Sequence, residues 1–326
     1  MSTGMMLFAD ILSSTILFAV PLLLVAMGGM FSERSGVINI ALEGIMIVGA
    51  LLGCLFMRAM DTSGFGPSHP QAAMLLTLLV SGVSGLVFSL LLAFASIHLK
   101  ADQTIGGTAL NMLAPAFAIV LTWAVQGQGQ TTILIPTWSR IVHPIDTFLD
   151  RVIFKSLYIT TPATVILFIV GTLVLYRTRL GLRLRSCGEH PQAADSVGIN
   201  VYRMRYLGVS ISGFLGGVGG LAFTMAAGSG FQSSVAGYGF LALAVMIFGN
   251  WKPLNILGAS LFFAFFKILS SYAASIPFLP SFDGVKSSEY IYLMLPYIVT
   301  MIVLVLTSKK SRAPKAEGIP YDKGKR

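Results

Sequence analysis

Three stretches of this chain place polar side chains where their neighbours are apolar, and each is a candidate for handling a polar molecule. In FSERSGVINIALEGI, residues 31–45, a short polar turn from Ser32 to Gly36 is followed by Asn39 and Glu43. Residues four apart share one face of a helix. A carboxylate inside an apolar span is unfavourable unless it meets a cavity or a partner. Glu43 therefore has two readings: direct contact with a solute, or a structural role in which it bonds a backbone amide or pairs with Arg34. In KADQTIGGTALNMLAP, residues 100–115, Asn111 and Pro115 lie one turn apart behind Gly106 and Gly107. Proline inside a span frees a backbone carbonyl that needs another partner, and broken helices of this kind line transport pathways. Asn111 is thus a candidate solute contact, with a plain helix kink as the alternative. Phe231 and Tyr238 could stack a flat ring, or serve as ordinary membrane aromatics.

The third stretch is basic: RTRLGLRLRSCGEHPQAADSVGIN, residues 177–200. Gly188, Glu189, His190 and Pro191 suit a turn and a helix start, Ala193 and Ala194 continue the helix, and Gly198 ends it. A short helix across one face of the protein suits docking to a partner protein, against the blander reading of a solvated basic loop. GFLGGVGG, residues 213–220, carries the small-xxx-small pairs Gly213/Gly217 and Gly216/Gly220, which let helices approach closely. The segment is apolar and holds no cation, so it is not a phosphate loop. No GxxxxGK[ST] or HExxH motif occurs and the four histidines are scattered, so neither nucleotide hydrolysis nor a metal or other cofactor is expected of this chain.

The elements that position these residues follow from the solvent the chain is built for. Of 326 residues, 55% are hydrophobic and 11% charged, with a mean hydropathy of +0.81, whereas a soluble domain carries about 25% charged residues. The deficit runs the length of the chain, so lipid is the solvent. A spanning helix needs about 20 mostly apolar residues. Nine runs qualify: 11–31, 37–57, 72–97, 104–125, 157–176, 206–228, 235–251, 255–274 and 290–307. The expected fold is therefore all-α, a polytopic integral membrane protein of about nine helices, some broken or short. The seventh run is weakest, because its strictly apolar core covers only Phe240 to Phe248. One transmembrane domain, residues 1–308, is followed by a basic tail, 309–326, expected to be disordered. Cys54 and Cys187 are read as reduced and unpaired. No Lys or Arg precedes the first apolar run, so it is read as a retained helix rather than a cleaved signal.

Charge sets the expected orientation. Arg177 to Arg205 holds six Lys or Arg and the tail after Ser308 holds seven. Both belong in the cytosol by the positive-inside rule, which requires an even number of crossings between them and so needs the weak seventh run. Counting back puts the N-terminus outside and the C-terminus inside. Sixteen basic residues then lie inside and five outside (Arg58, Arg140, Arg151, Lys155, Lys286), with Lys267 within a span. This distribution explains the +9 net charge without nucleic acid.

The segments FSERSGVINIALEGIMIVGA, ADQTIGGTALN, GLRLRSCGEHPQAADSVGIN and the region from Phe240 to Gly258 resemble the permease subunits of bacterial ABC importers, in the superfamily of ribose, branched-chain amino acid and nucleoside permeases. GVINIALEG is similar to the nucleoside branch and departs from the GGIDLSVG-like pattern of the ribose branch. The resemblance implies an inner-membrane permease that imports nucleosides, purine nucleosides foremost, or related sugars by alternating access. It also implies a cytosolic ATP-binding subunit, an external substrate-binding lipoprotein and a second permease subunit, a sibling in preference to a second copy of this chain, with the homodimer as the alternative. ATP would be used by the partner. The coupling helix of such importers would fall on Gly188, Glu189, Ala193, Ala194, Asp195 and Gly198, although Glu189 stands further from Ala193 than the family pattern has it. Asn39, Glu43 and Asn111 are the expected pathway residues. A different class, an ion-coupled secondary transporter using Glu43 and Lys267 as ion or proton sites, would need no ATPase.

Overall fold

In lipid, backbone N–H and C=O groups find no water, so an apolar run satisfies them internally by forming a helix. The computed structural model describes residues 3–324 apart from 142, 156, 273–293, 296, 299–300 and 303–312. The helices are α1 (Thr3–Arg34), α2 (Leu42–Thr62), α3 (Phe65–Ser68), α4 (Pro70–Ile97), α5 (Gln103–Gln126), α6 (Phe148–Phe154), α7 (Thr160–Arg177), α8 (Arg179–Glu189), α9 (Pro191–Ser196), α10 (Val201–Ala227), α11 (Tyr238–Phe248) and α12 (Pro253–Tyr272). Among the described residues there is no strand, only the isolated bridges Ile133–Phe231 and Arg140–Tyr158.

Seven of these helices are long and apolar enough to cross a membrane: α1, α2, α4, α5, α7, α10 and α12. The chain is thus an all-helical polytopic membrane protein. The expected seventh span is only half a helix. α11 has 11 residues, about 16 Å at 1.5 Å per residue, against a hydrocarbon core of about 30 Å. The chain nevertheless passes from one end of the bundle to the other here. Phe231 exchanges backbone hydrogen bonds with Ile133, both 2.9 Å, while Trp251 donates its indole N–H to Glu33 at the end of α1. The first half of the passage is unwound, with Ser233 and Ala236 at φ +58° and +50° before α11 begins. The expected ninth span, 290–307, lies largely outside the described residues.

α10 is the axis of the bundle, and its glycines are why. A Cβ on Gly220 would lie 2.0 Å from the Met46 carbonyl oxygen of α2, and one on Gly217 2.2 Å from the Ser81 carbonyl oxygen of α4. Gly49 and Gly85 face the same seam from α2 and α4, each too close to α10 backbone for a side chain. Ser81 ties the three helices together, its single hydroxyl proton shared between the carbonyls of Gly49 (2.8 Å) and Gly217 (2.7 Å). Where lipid is as apolar as the helix surface, close backbone approach replaces the hydrophobic effect as the source of association.

The described loops sort into two ends. At one, Asp10 near the start of α1 pairs with Arg151 and Lys155, both at 2.6 Å. At the other, Arg34 pairs with Glu189 at 3.6 Å and Lys100 with Asp322 at 3.1 Å. The N-terminal helix start and the C-terminal tail are therefore at opposite ends. The tail corrects the expectation of disorder. Residues 309–312 lie outside the described residues, but 313–324 lie against the protein, because the tail is not uniformly polar. Ala316 and Tyr321 are buried, and Tyr321 joins Cys187, Ala194 and Val201 in a small apolar cluster.

Candidate functional site

The expected second span starts at Leu42 rather than residue 37. Gly36 takes φ +96°, residues 35–37 bond back to the last turn of α1, and residues 38–41 run into the interior outside any helix. Buried non-helical backbone needs side-chain partners, and α5 supplies them. Gln103 Oε1 accepts from the Ile38 amide at 2.7 Å. Asn111 closes both sides of the junction: its Nδ2 donates to the Ile40 carbonyl and its Oδ1 accepts from the Gly44 amide, each at 2.8 Å. α5 itself continues as a helix through Pro115, so Asn111 secures the break in its neighbour and not a kink of its own.

Because residue 39 is not helical, Asn39 and Glu43 do not share a helical face, contrary to the expectation from their spacing. Asn39 Nδ2 donates to Ser212 Oγ at 2.8 Å. Ser212 is the twelfth residue of α10, about 17 Å from that helix's first residue. Asn39 Oδ1 and Gln103 Nε2 remain buried without a partner among the described residues. Glu43 turns to the other break. Its two carboxylate oxygens accept from the amides of Gly237 (2.9 Å) and Gly239 (2.7 Å). These are donors at the start of α11, where no helical carbonyl reaches them and the positive end of the helix dipole favours a carboxylate by up to about 2 kcal/mol. A Cβ on Gly239 would lie 2.4 Å from Glu43 Cα, so only glycine admits this approach. Arg34 is not the partner of Glu43; it binds Glu189 and the Trp251 carbonyl.

The three expected pathway residues thus meet around two helix breaks, holding 35–41 and the start of α11 together. Phe231 and Tyr238 are fully buried, Tyr238 against Phe223 at 4.4 Å between ring centroids, so neither offers an open face to a flat ring. Lys267, which the sequence offered as an ion or proton site beside Glu43, has its Nζ 4.9 Å from the Tyr238 ring centroid beside a cavity of about 40 Å³ at the α11 start; one further feature escaped the sequence. A larger cavity of about 620 Å³ opens at the Asp10 end, lined by Arg58, Asp61, Gln126, Gln130 and Thr132 among others. Asp61 there accepts from the Trp138 indole at 2.7 Å.

At the opposite end, the basic stretch forms two helices instead of one. α8 arises because Gly181, Leu184, Cys187 and Gly188 recur at helical spacing and are buried, with Arg179 and Arg183 outside. Burial pushes the Cys187 thiol up to about 11. α9 then runs from Pro191, with Gly198 at φ +83° after it. The six expected coupling residues divide. Gly188 packs against the Arg34 backbone and Ala194 is buried; Glu189 and Asp195 are half-buried in ion pairs; Ala193 and Gly198 face outward. The outward surface also holds Gln192, Ser196 and Val197, the last 74% exposed, which the sequence did not single out.

The family model described as branched-chain amino acid transport system / permease component matches residues 11–305. The chain is 42% identical over 320 residues to the guanosine ABC transporter permease protein NupQ of Bacillus subtilis, covering 97% of each chain. It is 39% identical to the nucleoside ABC transporter permease protein NupC of Lactococcus lactis, again over 97% of each. The putative glucose ABC transporter permease protein TsgC13 of Haloferax volcanii is 31% identical over 264 residues, 78% of this chain and 75% of the relative. No solved structure matches.

Proposed function

We infer that this chain, which belongs to the branched-chain amino acid transport system permease component family, is the membrane-spanning subunit of an ATP-driven importer of nucleosides, purine nucleosides foremost. The observation that carries this is the near-complete overlap with two permease proteins named for guanosine and nucleoside transport. A substrate of this kind is rich in hydroxyl and amide groups, and the 620 Å³ outer cavity offers it amide, hydroxyl and charged side chains. The relative named for glucose keeps sugars as the competing substrate class.

In this reading the Asp10 end faces outward and receives solute from an external binding lipoprotein. The basic end faces the cytosol, in keeping with sixteen Lys or Arg there against five outside. A separate ATP-binding subunit docks on the outward face of α9 around Ala193 and Gly198, and a sibling permease completes the pore. ATP binding and hydrolysis in the partner move α9, and the rigid helices pass that motion on as alternating access. Asn39, Glu43 and Asn111 act by holding and releasing the two helix breaks beside the path.

Uptake of radiolabelled adenosine, guanosine, uridine and ribose, with and without the gene and with ATP depleted at constant membrane potential, tests this. Loss of ATP-dependent nucleoside uptake with ribose unchanged is expected. Uptake that follows an ion gradient and ignores ATP would overturn the importer reading in favour of a secondary transporter.

A further inference from the structure

The tail residues 313–324 touch every element that separates α9 from the first helix break. The Ala316 amide donates to the Gly188 carbonyl at 2.8 Å, in the last turn of α8. Gly318, at φ +75°, lies over Ile38 so closely that a Cβ there would be 2.8 Å from Ile38 Cδ1. The Ile319 carbonyl accepts from Arg205 Nη1 at 2.9 Å. Tyr321 packs with Ala194 of α9 and, ring centroids 5.5 Å apart, with Tyr202 of α10. Lys323 reaches Asp195 of α9 at 4.0 Å.

Arg205 makes this more than surface packing. It is 1% exposed, its other guanidinium edge lies against Gly36, and Nε and Nη2 have no acceptor among the described residues. A buried cation depends on the few acceptors it has, and the acceptor described for Arg205 is a carbonyl of the tail. Lifting the tail would strip that acceptor and loosen Arg205 against Gly36, where the unwound segment leading to Asn39 begins.

We propose that residues 313–324 form a strap that transmits movement of α9 to the helix break at 35–41, so that ATP hydrolysis in the partner and opening of the path stay coupled. This rests on the importer reading given above. The strap is a positioning element: it touches neither ATP nor solute.

The test uses the complete transporter in proteoliposomes and reads nucleoside transported per ATP hydrolysed. Tyr321→Ala removes the ring between α9 and α10. Expected is a fall of about fivefold in solute per ATP, with assembly and ATP hydrolysis retained, a size typical of residues that carry coupling between sites. An unchanged ratio in an assembled Tyr321→Ala transporter would overturn the proposal. Should that variant fail to assemble, the double variant Asp195→Cys with Lys323→Cys, bridged by a short bifunctional thiol reagent at the site where the native side-chain tips meet, locks strap to α9. Cross-linking yield that changes on vanadate trapping supports transmission, and yield that stays constant through the cycle refutes it. ATP-independent uptake by the unaltered transporter would instead bring down the importer reading itself.

Discussion

The seam where α2, α4 and α10 meet and the junction around residues 35–44 and 237–239 lie within one bundle but are held by different forces. The seam is glycine against backbone, with Ser81 bridging two carbonyls. Its attraction is dispersion between close-packed atoms, which has one good geometry and no substitute partner. The junction is held by side chains from distant parts of the chain: Asn111, Gln103, Asn39 and Glu43. Hydrogen bonds of this sort can be exchanged for bonds to water or to a hydroxyl-bearing solute at small net change. The lesson is that one bundle can hold two regions a few turns apart by different means, one by shape and the other by polarity.

The largest expected effect breaks the seam. Gly220→Val forces a side chain into the Met46 backbone, an overpacking worth about 3 kcal/mol or more; folded protein in the membrane, measured by size-exclusion after extraction, should largely disappear. The junction should behave otherwise. Glu43→Gln keeps the size and removes the charge that caps α11, and uptake should fall about tenfold, about 1.4 kcal/mol, with assembly intact. If Glu43→Gln abolished assembly as Gly220→Val does, the distinction between the two regions would collapse; if it changed neither, an ionised Glu43 would not be required. Asn111→Ala removes two bonds at the α2 start and should lower stability by about 1–2 kcal/mol, seen as a reduced melting temperature with partial uptake retained.

The smallest effect sharpens the comparison at the water boundary. Burial pushes the Glu317 carboxyl of the strap up to about 7. Glu33, which bonds the Trp251 indole, and Arg34 are the groups facing it. A carboxyl whose docked pKa lies above its free value favours docking most at low pH, and that contribution is lost as pH rises through the docked value. Cross-linking between cysteines at 195 and 323, divided at each pH by that of an exposed reference pair so that the rise in thiolate cancels, should therefore decline between about pH 5 and about pH 8, and Glu317→Gln should flatten the decline relative to the parent pair.

Much of the architecture was readable because the information is local. Apolar runs long enough to span, small residues spaced four apart at 213–220, and Pro191 with Gly198 bracketing a short helix each announce themselves within a few neighbours. The errors came where a local rule met a distant partner. Spacing placed Asn39 and Glu43 on one helical face, and Gly36 together with Gln103 and Asn111 unwound that helix. The tail looked too polar to fold, yet about 120 to 130 residues back in the chain Tyr321 finds apolar partners at 187–201 and the Ala316 amide finds the Gly188 carbonyl.

By itself the sequence determined the solvent, the helical class, the approximate spans and the uneven charge of the two ends, since hydropathy and charge are summed along the chain. Only the tertiary structure decided what Glu43 bonds, that the 235–251 crossing is half unwound, which face of α9 is open and that the tail packs against α8, α9 and α10. Each of these depends on hydrogen bonds or contacts between residues far apart in the chain, such as Glu43 with Gly239 and Arg205 with Ile319. A buried polar group is obliged to find a partner, but the chain's order does not say which one.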